Sequence, residues 1–296
     1  MTKGPTRDLD LVARCAREVN TERLFAAIVR VQRKYRIEES RMNTIGLPGF
    51  KVTAKRVLTP PRMRPLCGTA TGDHLFWLYS PGFAYRRARG FSVKLSVLEA
   101  YIHEALHEIS GSLRLPGLYK DAGGESDMTR IISGVYEMID IGGQAFTLGN
   151  QMLNEGITQS FALEVMSAYL DMGGFMDVTD AEVRAHFQKI ALDQRGTFYP
   201  LATDLVSGLA WRIGKVLGSS EAGYGKLYRS YFRGTAVQED ISWMSLFNEC
   251  GIHDIMQNVR TAEYDWLPVH EALLRGDASR WSGVVIAEDL KPDPVV

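Results

Sequence analysis

Two histidines and a glutamate stand at a spacing that supports chemistry only if the segment is helical. In the run Tyr101-Ile102-His103-Glu104-Ala105-Leu106-His107-Glu108 the histidines are four residues apart, so on a helix their side chains lie one above the other on the same face. Two imidazole nitrogens can then aim at one point, and zinc accepts imidazole nitrogen readily. Glu104 would sit beside such an ion without having to ligate it, which suits a general base acting on metal-activated water. The H-E-x-x-H pattern points to a zinc hydrolase with one catalytic Zn2+, most simply an endopeptidase. A hydrolase of a non-peptide amide would use the same residues, and so would a binding module that has lost activity. Retention of Glu104 argues against the last.

Zinc needs a third protein ligand and an open position for water. The metzincin continuation is absent, because Ser110 and Leu113 replace its glycine and third histidine. The segment Leu153-Asn154-Glu155-Gly156-Ile157-Thr158-Gln159-Ser160-Phe161 offers Glu155 in the first turn of a strong helical pattern.

H-E-x-x-H followed by N-E-G-I-T on a second helix resembles the gluzincin metallopeptidases, particularly the compact bacterial toxin and effector members. Thr197-Phe198-Tyr199-Pro200 and Leu227-Tyr228-Arg229-Ser230-Tyr231-Phe232-Arg233-Gly234 look like the "Y-P … Y-F-x-G" stretch that often follows the third ligand in such proteins. The resemblance spans residues 90 to 240 and is most specific at the first motif. It implies His103, His107 and Glu155 as metal ligands and Glu104 as the base. Tyr199 is the first candidate for the oxyanion donor, Tyr231 the second, with His186 behind. It also implies an extended peptide or protein substrate and a toxin or effector role. The spacing departs from thermolysin-like and aminopeptidase members: Glu155 stands 48 positions after His107, whereas theirs would fall near Glu125, Ser126 or Asp127. Glu125 and Asp127, in a stretch rich in loop formers, stay as alternatives. Glu155 is preferred because a site on a rigid element holds its geometry better.

These residues need elements to position them. Ser96-Val97-Leu98-Glu99 reads as a capping box for the first helix, and Gly111 as its stop. Leu98, Ile102, Ala105, Leu106 and Ile109 define an apolar stripe, with His103 and His107 on a different face. Ile157, Phe161, Ala162, Val165, Met166 and Tyr169 form the buried side of the second helix, which Gly173-Gly174 ends. Gly156 would leave room for the H-E-x-x-H helix. Thr69 to Ser80 reads as a strand pair around Gly72-Asp73, with His74 an exposed polar residue beside the turn. Phe91 to Leu95 alternates as an edge strand able to hold substrate by strand addition.

The expected fold is α+β and predominantly helical, zincin-like, with a small antiparallel or mixed sheet packed on the H-E-x-x-H helix and a helical C-terminal lobe. Residues 1–65 would form an N-terminal helix and connecting arm. The helix covers 8 to 36, with an interruption at Thr21-Glu22-Arg23, and the connector covers 43 to 65. Residues 66–174 would form the catalytic core, 175–285 the helical lobe (helices at 181–192, 201–217 and 241–248), and 286–296 a flexible tail. Arg86-Arg87-Ala88-Arg89 reads as a short basic run in a loop, suited to acidic substrate side chains or a phosphate and explained equally well by solvation.

Composition agrees with a globular enzyme. The chain has 296 residues, 45% of them hydrophobic, and its net charge of −1 creates no field that favours nucleic acid. Cys15, Cys67 and Cys250 are unclustered, so neither a disulfide framework nor a cysteine zinc site is indicated. No run approaches a membrane span. Lys3, Arg7, Asp8 and Asp10 precede any apolar run, so no signal peptide is read. The expected location is the cytoplasm as synthesised, with delivery by a specialised secretion apparatus compatible with that. Oligomeric state is not legible.

Overall fold

The computed structural model describes residues 5–37, 46–59, 64–71, 74–110, 112–121, 124–141, 144–149, 151–192 and 200–233. Their contacts group into two units. Of the described residues, the first takes those within 5–34, 46–109 and 158–192 together with 200, and the second takes those within 35–37, 110–157 and 201–233. Helix dominates among the described residues.

In the first unit, the N-terminal stretch is two helices rather than one: α1 (Pro5–Arg17) and α2 (Thr21–Lys34). Asn20 makes the break, because its Oδ1 accepts the Arg23 amide at 2.9 Å and caps α2. Its own amide donates to the Tyr169 hydroxyl at 2.9 Å. Leu24, Ala27, Ile28 and Val31 form the buried side of α2.

The small mixed sheet contains β1 (Gly49–Thr53), β4 (Gly68–Ala70) and β5 (Leu75–Tyr79), in the order β1-β5-β4. The β4–β5 pair is antiparallel, as expected around Gly72-Asp73, while β1 lies in the stretch read as a connector and pairs parallel to β5. A short ribbon of β2 (Leu58–Thr59) and β3 (Arg64–Pro65) lies between them in sequence. In β5, Phe76 and Leu78 are fully buried while Leu75 and Trp77 are half-buried, the alternation a pleated strand imposes.

The strand expected at Phe91–Leu95 is not formed. α3 (Ser80–Ala88) follows β5 directly, with Pro81 in its first turn where a missing amide costs nothing. Val93 already opens α4 (Val93–Ile109). The Ser92 carbonyl accepts the Ser96 amide at 3.0 Å and its Oγ accepts the Leu95 amide at 3.4 Å. The helix start therefore lies one turn upstream of the capping box read at Ser96. A five-residue alternation is short enough to be the entry to a helix buried all round. α4 is such a helix, since every residue from Leu95 to Leu106 is buried. The face that carries His103 is thus as buried as the apolar stripe, while His107 one turn on is half-buried.

α5 (Gln151–Asp171) starts earlier than read, so Glu155 falls in its second turn. Gly173, at φ +72°, ends it. α6 (Asp180–Leu192) completes the first unit, close to the range expected.

The second unit contains a four-stranded antiparallel meander that the sequence reading missed: β6 (Ser112–Asp121), β7 (Gly124–Ser133), β8 (Tyr136–Ile141) and β9 (Gln144–Gly149), in sequence order. The loop formers around 121–127 mark the place where Asp121 pairs with Gly124 and the chain reverses. The Gly134-Val135 turn is fastened by Asn154, whose Oδ1 accepts the Val135 amide at 3.0 Å. α7 (Pro200–Leu217) and α8 (Ser220–Arg233) pack closely where a Cβ on Gly223 would overlap the Ala210 carbonyl, and the Tyr224 hydroxyl donates to Ser207 Oγ at 2.9 Å. A Cβ on Gly156 would overlap the Ala202 carbonyl, so that glycine admits α7 and not the H-E-x-x-H helix. The helix expected at 241–248, the tail at 286–296 and the stop at Gly111 lie outside the described residues.

Candidate metal site

His103 and His107 project from α4 with their Nε2 atoms 3.1 Å apart and their rings inclined at 72°. Two imidazoles on one tetrahedral zinc at about 2.0–2.1 Å stand about 3.3 Å apart, so the pair is already set for a shared cation. Glu155 completes the group on α5. One ligand atom from each of His103, His107 and Glu155 lies within 4.8 Å of the others, the only such group among the described residues. An N2O set of this kind leaves room for a further ligand and suits a borderline divalent metal. The donors therefore fit a single ion.

Of the alternatives for the third ligand, Asp127 is not part of this group, and the Glu125 side chain lies outside the described residues. Asp127 is exposed on β7, and Glu125 stands opposite Lys120 in the β6–β7 register. Cys67 is fully buried, which pushes its thiol up to about 12, and it is not part of this group.

Four further polar residues hold the site, and the sequence reading gave none of them this role. His103 Nδ1 faces Gln159 Oε1 at 2.8 Å, and Gln159 Nε2 donates to Glu99 Oε1 at 2.9 Å. Arg86 Nη2 donates to Glu99 Oε2 at 2.7 Å, and His186 Nε2 lies 3.3 Å from the same oxygen. Glu99 and Gln159 are fully buried and Arg86 is 4% exposed. Burial alone would raise the Glu99 carboxyl, but the Arg86 charge and the bonds from His186 and Arg86 lower it to about 2. Glu99 is therefore a buried carboxylate and not a helix cap. Arg86 is its counter-ion on α3 and not a solvated loop charge. A signal for two of these residues was present: Glu99, His103 and His107 share a four-residue ladder, as do Glu155 and Gln159.

Glu104 is 6% exposed and lies against β4. A Cβ on Gly68 would come 2.6 Å from its Cγ and 2.7 Å from its Oε1, so only glycine leaves that carboxylate its place. One turn on, Glu108 ties the β4–β5 connection to α4, with Oε1 accepting the Thr71 amide at 2.6 Å and Oε2 the His74 amide at 2.9 Å. His74 is only partly exposed, at a positive φ of 56°.

The candidate oxyanion donors fare differently. Tyr199 lies outside the described residues. Tyr231 is fully buried on α8, beside Gly134 and in edge contact with Phe232 at 5.2 Å. His186, 2% exposed, directs its Nε2 at Glu99, which makes it part of the support of the site and not a donor to substrate. Among the described residues no helix is long and apolar enough to cross a membrane.

No family model, no curated protein and no solved structure matches this chain.

Proposed function

We propose that this chain is a zinc-dependent endopeptidase with Glu104 as its general base. The observation that carries the reading is the convergence of His103, His107 and Glu155 within 4.8 Å, beside a glutamate held against a glycine strand. A zinc ion bound there would polarise the scissile carbonyl and lower the pKa of water from 15.7 toward about 7. Glu104 takes a proton from the attacking water and delivers it to the leaving amine nitrogen, so one carboxylate acts as base and then as acid. Its burial keeps bulk water from competing for that proton. β4 is an edge strand of the mixed sheet among the described residues and carries Gly68 beside Glu104. Its outward backbone groups suit an extended peptide added as a further strand, replacing the Phe91–Leu95 segment in that role.

The test combines metal analysis with digestion of a broad peptide library. One equivalent of zinc and peptide cleavage are expected, and Glu104→Gln should keep the metal and abolish cleavage. Unchanged turnover in that variant would end the proposal. Zinc without peptide cleavage would favour hydrolysis of a non-peptide amide. The setting proposed is that of a toxin or effector delivered into another cell. Expression in a target cell should then be toxic, and Glu104→Gln should remove the toxicity.

A further inference from the structure

Building on the assignment of His103 as a metal ligand, we propose that Arg86 and Glu99 are positioning residues that select the tautomer of His103 through Gln159. A ligating histidine must present an unprotonated ring nitrogen, and the proton of a neutral imidazole can sit on either one. At His103 the choice is made two side chains away. Glu99 receives Arg86 and His186 on Oε2 and is an acceptor on Oε1. Gln159 stands 2.9 Å from that Oε1, and only its NH2 can donate there. Turning the amide round would set two oxygens against each other in the core, at the cost of an unsatisfied buried group. The amide oxygen consequently faces His103 at 2.8 Å and requires the proton on Nδ1. Nε2 is then the lone-pair nitrogen, and Nε2 is the atom that meets His107.

The relay ends on a neutral amide. Glutamine transmits the direction of the Glu99 charge without placing a second carboxylate against the ligand. His103 gains orientation, while the charge stays paired with Arg86 on α3. The side chains concerned rise from α3, α4, α5 and α6, so packed helices hold the order of donors and acceptors.

The test reads the tautomer by heteronuclear NMR of the His103 imidazole nitrogens in metal-free protein, and zinc affinity by competition with a chromophoric chelator. Wild type should carry the proton on Nδ1 alone. Arg86→Gln/Glu99→Gln removes both charges together, so neither is left buried without its partner. It should populate both tautomers and bind zinc roughly 10–100-fold more weakly. Glu99→Gln/Gln159→Glu exchanges amide and carboxylate at constant net charge, and should keep the Nδ1 proton and near-wild-type affinity. A neutral pair variant with one tautomer and wild-type affinity overturns the proposal. So does a wild-type His103 protonated on Nε2, a result that stands even if the neutral variant does not fold. A wild type with the Nδ1 proton but no zinc binding would instead end the metal reading alone.

Discussion

Gly68→Ala probes the link between β4 and the proposed base, Glu104, without touching a proposed metal ligand. The added Cβ would stand 2.6 to 2.9 Å from Cγ, Oε1 and Cδ of Glu104, against an ordinary contact of 3.4–4 Å. Relief therefore requires a shift of about 1 Å. β4 is the less able to give way, because it is paired to β5 and the Cys67 carbonyl before it accepts the Tyr79 amide at 2.8 Å. Glu104 moves instead. A misplacement of about 1 Å in a reacting group costs about 100-fold in rate, equivalent to about 2.7 kcal/mol of barrier. Overpacking should also lower stability by about 1–3 kcal/mol. The assay is kcat/KM on a peptide cleaved by wild type, with zinc content and Tm measured on the same samples. Zinc should remain at one equivalent while kcat/KM falls by about two orders of magnitude. A folded, zinc-loaded Gly68→Ala enzyme with wild-type kcat/KM would refute the claim that β4 fixes the catalytic carboxylate.

Other outcomes follow from the same geometry. Glu155→Ala should weaken zinc binding by more than the roughly 10–100-fold typical of outer-shell changes, while Glu125→Ala and Asp127→Ala leave it unchanged; the reverse pattern in a chelator competition would move the third ligand to the β6–β7 hairpin. Glu99 is held near 2 against an ordinary 4.5, so its ionisation stabilises the fold above pH 4.5. That contribution, on the order of 3 kcal/mol, is lost as pH falls from 4.5 toward 2. Thermal melts across that interval should fall more steeply for wild type than for Arg86→Gln/Glu99→Gln, and coincident profiles would contradict the lowered carboxylate.

Several misreadings share one cause. Alternation at Phe91–Leu95 and the serine–glutamate pair at Ser96 and Glu99 are short patterns that both a strand or cap and a buried helix can produce. α4 resolves them because it is enclosed on every side from Leu95 to Leu106, and burial is a property of the neighbours and not of the segment. The meander at 112–149 escaped notice for a related reason. One of its turns was visible as the loop formers at 121–127, but antiparallel pairing is made between segments and leaves only a faint local trace.

The residues of a single helical turn determine one another through hydrogen bonds and side-chain spacing within four positions. The sequence alone therefore determined that His103 and His107 share a face, that Glu104 sits beside them, and that the stretch after Glu155 runs as a helix to the Gly173-Gly174 stop. Bringing Glu155 to those histidines, pairing Glu99 with Arg86 and laying Gly68 across Glu104 join residues between 13 and 52 positions apart in the chain. Only tertiary structure decided these, because such approaches are set by which surfaces bury together, a free energy summed over the core that no short window contains.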